Sequence, residues 1–188
     1  MKNILLFSGS NSSVSINKKL IDYTATLFSG VDLNVIDLRN YESPVYQHDI
    51  EENSGLPSQT MELLDLFDKA DGIVLSTPEH NAMPPAFLKN ILDWMTRINR
   101  HLDREEKYLE NKPVLLMSTS GGRGGAMKAR ALIKGLLERG NANVVAEFSL
   151  PSFNHNSDNG VIHNEDLNKE LKEQISAFLK VVVKPPVV

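Results

Sequence analysis

Ile4-Leu5-Leu6-Phe7-Ser8-Gly9-Ser10-Asn11-Ser12-Ser13 sets four consecutive apolar residues against a stop of small, polar ones. An apolar run of that length, bounded by turn formers, reads as a strand buried on both faces, as in a parallel sheet. Beyond it Ile16, Leu20, Tyr23 and Leu27 recur at intervals of 4, 3 and 4, the apolar stripe of a helix. Strand, serine-rich turn and amphipathic helix thus follow one another within the first 27 positions.

The same unit repeats outward from there. Strand-like runs are predicted over 33–38, 72–75, 114–117 and 143–148. The run over 72–75 ends in Ser76-Thr77-Pro78 and that over 114–117 in Ser118-Thr119-Ser120-Gly121. Helical spacing lies between them: Met61, Leu64 and Phe67; Phe87, Ile91, Trp94 and Ile98; Ala126, Ala129, Ile133 and Leu136; Leu167, Leu171, Ile175 and Phe178. Alternation of this kind predicts a doubly wound α/β fold with right-handed crossovers. Five strands suit a flavodoxin-like three-layer sandwich with a parallel sheet in the order 2-1-3-4-5. No repeat or linker divides the chain, so 1–188 is expected to form one domain. Residues 41–57 read as a long loop, 151–164 as a solvated linker or an acceptor-selecting loop, and 184–188 as a frayed or contact-forming end.

Composition narrows the function. The chain has 188 residues, 41% hydrophobic and 23% charged, with a formal net charge of −4. That balance argues against nucleic acid, whose partners are normally basic. There is no cysteine, which excludes disulfides, thiolate metal sites and cysteine nucleophiles; redox chemistry would have to come from a cofactor. The five histidines (48, 80, 101, 155, 163) show no ligand spacing, so no metal is expected. No signal segment or membrane span is legible, and a cytoplasmic location is expected.

In an open parallel sheet, ligands bind outside the carboxyl ends of the strands at the switch point. That rule selects three loops: 8–17, 76–85 and 118–125. The first holds five serines in eight positions ahead of a helix, and a helix start with hydroxyls around it suits a phosphate. Equally, Ser13 or Ser15 there reads as an ordinary N-cap. The second places Pro78, Pro84 and Pro85 around Glu79-His80-Asn81, a stiff surface whose amides could serve the edge of a flat ring. His80 offers a ring face, or simply faces solvent. In the third, four glycines in five positions allow close backbone approach. Arg123 among them is a candidate for a ligand phosphate, or a solvated side chain.

Together these loops resemble the NADPH-dependent FMN reductase family of flavodoxin-like quinone, chromate and azo reductases. The resemblance rests on Gly9-Ser10 with Ser15-Ile16-Asn17, on Pro78-Glu79-His80-Asn81, and on Pro85 with Leu88-Lys89-Asn90-Ile91-Leu92-Asp93-Trp94. It extends to the turn from Ser118 to Gly125. Ser12 stands where many members carry arginine, and His80 where many carry tyrosine.

The resemblance implies bound FMN, with its phosphate on Ser10, Ser15, Ile16 and Asn17; Ser12, in the same serine loop, is a candidate beside them. The resemblance places the ring against Pro78, Glu79, His80 and Asn81, closed on the other edge by Ser118, Thr119, Ser120, Gly121 and Gly122. Arg123 is outside what the resemblance assigns and stays a candidate, from its place among the glycines, for a phosphate of the nicotinamide donor. The resemblance implies an oxidoreductase that passes electrons from NADPH or NADH through FMN to a quinone, azo or nitro compound, free flavin or metal ion. No side chain is required as acid or base, and none is assigned as catalytic. A flavin-binding electron shuttle without its own NAD(P)H activity is the alternative, and a flavin-free interaction module a third reading. A second stripe, Leu88, Leu92 and Met95, leaves one face of its helix for a partner or the flavin, and a homodimer or homotetramer is expected.

Overall fold

The computed structural model describes residues 1–183; the terminal 184–188, expected to fray or make a contact, lie outside the described residues. The chain runs through β1 (Asn3–Ser8), α1 (Ile16–Thr26), β2 (Asp32–Val35), α2 (His48–Ser54) and α3 (Ser58–Lys69). It continues through β3 (Gly72–Thr77), α4 (Ala86–Met95), α5 (Ile98–His101), β4 (Pro113–Thr119), α6 (Met127–Arg139) and β5 (Asn143–Leu150). α7 (Phe153–Asn156), the short strands β6 (Ser157–Asp158) and β7 (Val161–Ile162), and α8 (Glu165–Val182) complete it. The five long strands pair in parallel in the order β2-β1-β3-β4-β5, the flavodoxin-like order expected from the sequence.

Alternating side chains of the inner strands feed two cores. Leu5, Phe7, Ile73, Leu75, Val114 and Leu116 meet α3, α4 and α6 on one face. Ile4, Leu6, Val74, Leu115 and Met117 meet α1 and α8 on the other. Burial on both faces is why these strands read as continuous apolar runs.

Four details correct the sequence reading. β2 stops at Val35 and not at Leu38, because the Asp37 carboxylate accepts the N–H of Arg39 and starts a 3₁₀ turn (Leu38–Tyr41). Short polar side chains offer the backbone this alternative to a ladder. On α3 and α6 the buried positions include Leu63 and Leu137, while Met61 is exposed and Leu136 only half-buried. Residues 151–164 are no solvated linker: Phe153 and Ile162 are buried in the second core, and β6 and β7 form a small hairpin.

The fourth concerns α4. Both of its stripes are buried within this chain, Leu88, Ile91, Leu92, Trp94 and Met95 alike. Residues 43–54 form a strap over part of it. Pro44 O accepts the indole N–H of Trp94 at 2.8 Å, the Tyr46 ring packs edge-on against Trp94 with centroids 5.1 Å apart, and Asn90 bonds to Ser43, Pro44 and Tyr46. Leu88, Leu92 and Met95, the stripe expected to be left for a partner or the flavin, lie in the first core, and the strap covers the side of α4 that carries Asn90 and Trp94.

Candidate functional site

β1, β3 and β4 end side by side, so the three loops selected from the sequence emerge together at one end of the sheet. Asn17, in the first turn of α1, ties them. Its side-chain oxygen accepts the Ser76 hydroxyl at 2.7 Å and the Thr119 N–H at 3.3 Å, and its amide donates to Thr119 O at 3.2 Å. Only 1% of Asn17 is exposed. Its side chain is therefore a brace between α1, β3 and β4, and what it can offer a ligand is its backbone. Gly9 adds a second tie, donating to Ser76 O at 2.9 Å, and a Cβ there would come within 2.6 Å of Leu88 on α4.

The first loop has a nested form. Ser8, Ser10 and Ser12 each accept, through the hydroxyl oxygen, the backbone N–H two residues on, at 3.2 to 3.3 Å. Ser15 is the N-cap of α1, its side chain taking the N–H of Lys18 at 3.2 Å. The N–H groups of Ile16 and Asn17 find no acceptor among the described residues, as the start of a helix dictates. Ser12 and Ser13 are exposed and Ser10 half-buried, so these hydroxyls are open to a ligand just ahead of the helix start.

A narrow cleft beside this loop is lined by Ser10, Ser12 and Ser13 together with Lys18, Asp37 and Arg39. The sequence reading missed Arg39. Asp37 accepts two bonds from Arg39 Nε, at 2.9 and 3.0 Å, and one from Nη2. Those guanidinium bonds hold the carboxyl of Asp37 below the usual range against the smaller cost of burial, and Arg39 is correspondingly raised. The signal was present: the order 2-1-3-4-5 sets the end of the second strand next to the first loop. Wider hollows along α8 are lined by residues such as Lys172 and Ser176, and none of the three loops contributes to them.

The second loop turns tightly. His80 and Met83 exchange both backbone bonds at 2.9 and 3.0 Å, with Asn81 and Ala82 between them at φ 53° and 65°. Two positive φ values mark a turn of type I′. The N–H of His80 is thus spent within the turn, while those of Glu79 and Asn81 have no acceptor among the described residues. His80 and Asn81 are exposed, Pro78 and Glu79 half-buried, and the Glu79 carboxylate accepts the N–H of Ala129 in α6 at 3.1 Å.

The third loop is held from below. Ser118 and Ser149 both donate to Gly125 O, at 2.7 and 2.8 Å, and Thr119 donates to Leu150 O at 2.7 Å. Ser120 O and Gly122 O accept the N–H groups of Phe153 and Ser152. The side chains of Ser118 and Thr119 point inward, therefore, whereas Gly121, Gly122 and Arg123 stand exposed with Ser120 half-buried. A Cβ added at Gly121 or Gly124 would meet open space.

The model of the NADPH-dependent FMN reductase family matches residues 2–155, across all three loops. The chain belongs to the NADPH-dependent FMN reductase family. It is 29% identical over 188 residues to the NADPH azoreductase of Bacillus sp. (strain OY1-2), covering 95% of each chain. It is 32% identical over 94 residues to the quinone reductase of Escherichia coli (strain K12), covering 50% of this chain and 47% of that one. The chain thus spans about half the length of that quinone reductase. Among solved structures it is similar to FerB, a flavoenzyme NAD(P)H:(acceptor) oxidoreductase from Paracoccus denitrificans. There the TM-score is 0.75, with 26% identity over 97% of both chains.

FMN is the cofactor of this family, and the residues fit it. A phosphate dianion calls for unpaired N–H groups and hydroxyls, which Ile16, Asn17 and the serine loop present. A flat ring calls for a rigid floor and approachable backbone, which the proline-flanked turn and the exposed glycines present.

Proposed function

We propose that this member of the FMN reductase family works as a single domain, an NAD(P)H oxidoreductase that carries electrons through FMN to a small acceptor of the quinone, azo or nitro class. The observation that carries the reading is the bracing of three ligand-suited loops by Asn17, at the carboxyl ends of β1, β3 and β4. FMN, when bound, supplies the redox chemistry, accepting from the nicotinamide and giving to the acceptor.

The residues of this chain bind and orient. Ser10, Ser12 and Ser15 with the amides of Ile16 and Asn17 hold the phosphate. Pro78, Glu79, His80 and Asn81 support one side of the ring, and the backbone from Ser118 to Gly122 closes the other. Arg123, exposed on the third loop, meets the donor's phosphates. No proton relay through a side chain is needed, and no cluster of potential metal ligands occurs among the described residues.

With both stripes of α4 buried within this chain, the homodimer or homotetramer rests on the family resemblance, and light scattering at micromolar protein tests it. No described helix is long and apolar enough to cross a membrane, and we assign the cytoplasm as the location.

The test is an absorbance scan of the purified protein with added FMN, then NADPH, then NADH, then a quinone. Flavin bands that bleach with a nucleotide and return with the quinone are expected. Bound flavin that neither nucleotide reduces would point to an electron shuttle, and no flavin binding would remove the site assignment.

A further inference from the structure

α6 begins without a capping side chain of its own. Its N-cap position is Ala126, left-handed at φ 61°, and Gly124 O takes the N–H of Met127 at 3.1 Å. The N–H of Ala129, still in the first turn, is taken from across the site by Glu79 Oε2, 50 positions away in sequence. A carboxylate at a helix start satisfies an orphan donor and meets the positive end of the helix dipole.

Beyond the strand pairing of Thr77 with Ser118, this is the one hydrogen bond among the described residues that joins the second loop to the third or its helix. Both pieces are stiff by themselves. Pro78 precedes Glu79, and the two bonds between His80 and Met83 close the turn behind it. The glycine-rich loop is pinned through Gly125 O to Ser118 and Ser149. Asn17 ties the bases of the two loops, and above that brace the bond from Ala129 to Glu79 is the direct tie between two stiff parts.

We propose that Glu79 is a positioning residue. Its carboxylate caps α6 from the opposite loop and so fixes the width of the slot that takes the flavin ring, an inference that rests on the FMN reading above. The side chain is engaged with α6, and the part of Glu79 left to the ring is its backbone.

Two substitutions separate the parts of this role. Glu79→Gln keeps a carbonyl acceptor for the Ala129 N–H, and Glu79→Ala removes it. Amide exchange at Ala129 is measured by NMR in flavin-free protein, and FMN affinity by quenching of flavin fluorescence. Glu79→Ala should exchange about tenfold faster at Ala129 and bind FMN about tenfold more weakly, as loss of one charge-assisted bond implies. Glu79→Gln should stay within about threefold of the parent on both. Parent-like exchange and affinity in Glu79→Ala would overturn the proposal. So would a Gln variant with normal exchange but FMN binding as weak as the Ala variant's, since the carboxylate would then act on the ring directly. A parent protein that binds no FMN would instead remove the reading under Proposed function; exchange at Ala129 would still decide whether Glu79 holds α6.

Discussion

The hydroxyl of Ser76 donates to the side-chain oxygen of Asn17 at 2.7 Å, a buried contact between the end of a central strand and the first turn of a helix 59 positions away. The same oxygen takes the N–H of Thr119, so one amide group fixes where three loops begin. Asn17→Ala would leave the Ser76 hydroxyl and both backbone groups of Thr119 short of a partner in a dry place. Unmade bonds of this kind cost about 2 kcal/mol, or roughly 6 °C in Tm for a chain of this size. Thermal melts should show that loss, and FMN titration a weaker complex. A parent-like Tm would mean that Asn17 braces nothing.

Ser15 has two tasks that one substitution can separate. It caps α1 through Lys18 N, and its hydroxyl hydrogen remains to be given to a phosphate. Ser15→Ala should lower stability by about 1 kcal/mol through the cap alone. Riboflavin lacks the phosphate, so its affinity should fall less than that of FMN. Equal losses for the two flavins would place the phosphate elsewhere.

Much of this arrangement is legible in the chain, and what is not has a physical reason. Ile4 to Phe7 announce a strand buried on both faces because nothing polar interrupts them. The end of the second strand is hidden because Asp37 looks like a strand residue until its carboxylate is seen to take Arg39 N–H. Phe153 and Ile162 enter the second core from a stretch whose Asn, His and Ser content suggests solvent. The bond from Trp94 to Pro44 crosses 50 positions, and no local periodicity carries such a pairing. The candidate loops are found by composition and topology together. Which side chains turn inward, as those of Asn17, Ser118 and Thr119 do, depends on packing that only the fold supplies.

The glycines of the third loop differ in their tolerance. Gly125 sits at φ 56°, and a Cβ there would lie 2.3 Å from Ser149 Oγ and 3.2 Å from Pro151 N. Gly125→Ala should therefore cost roughly 1–3 kcal/mol and disturb the loop. Gly121 has no positive φ and no neighbour within 4 Å of the added atom. Gly121→Ala should leave stability within about 0.5 kcal/mol of the parent, yet weaken FMN if the ring approaches its backbone. Unchanged FMN affinity in Gly121→Ala would move the ring away from this edge.

The strap over α4 should answer to acid. Glu51, fully buried at the start of α2, accepts the Tyr46 hydroxyl at 2.7 Å, faces His101 Nε2 at 3.0 Å, and lies 3.6 Å from Arg100, with Arg97 over the Tyr46 ring. Burial pushes its carboxyl upward, but the bonds from Tyr46 and His101 and the charges of Arg100 and Arg97 together bring it below its ordinary 4.5. A carboxyl lowered by folding stabilises fully above its unfolded value and loses that contribution as pH falls through the lowered one. The strap should thus be secure at pH 7 and weaken below about pH 4.5. Trp94 is the chain's sole tryptophan and packs against Tyr46, so its emission reports the strap directly. Glu51→Gln should lower Tm at pH 7 by about 5 °C, with the gap to the parent closing toward pH 3. A gap of equal size at both pH values would show that the charge on Glu51 does not hold the strap.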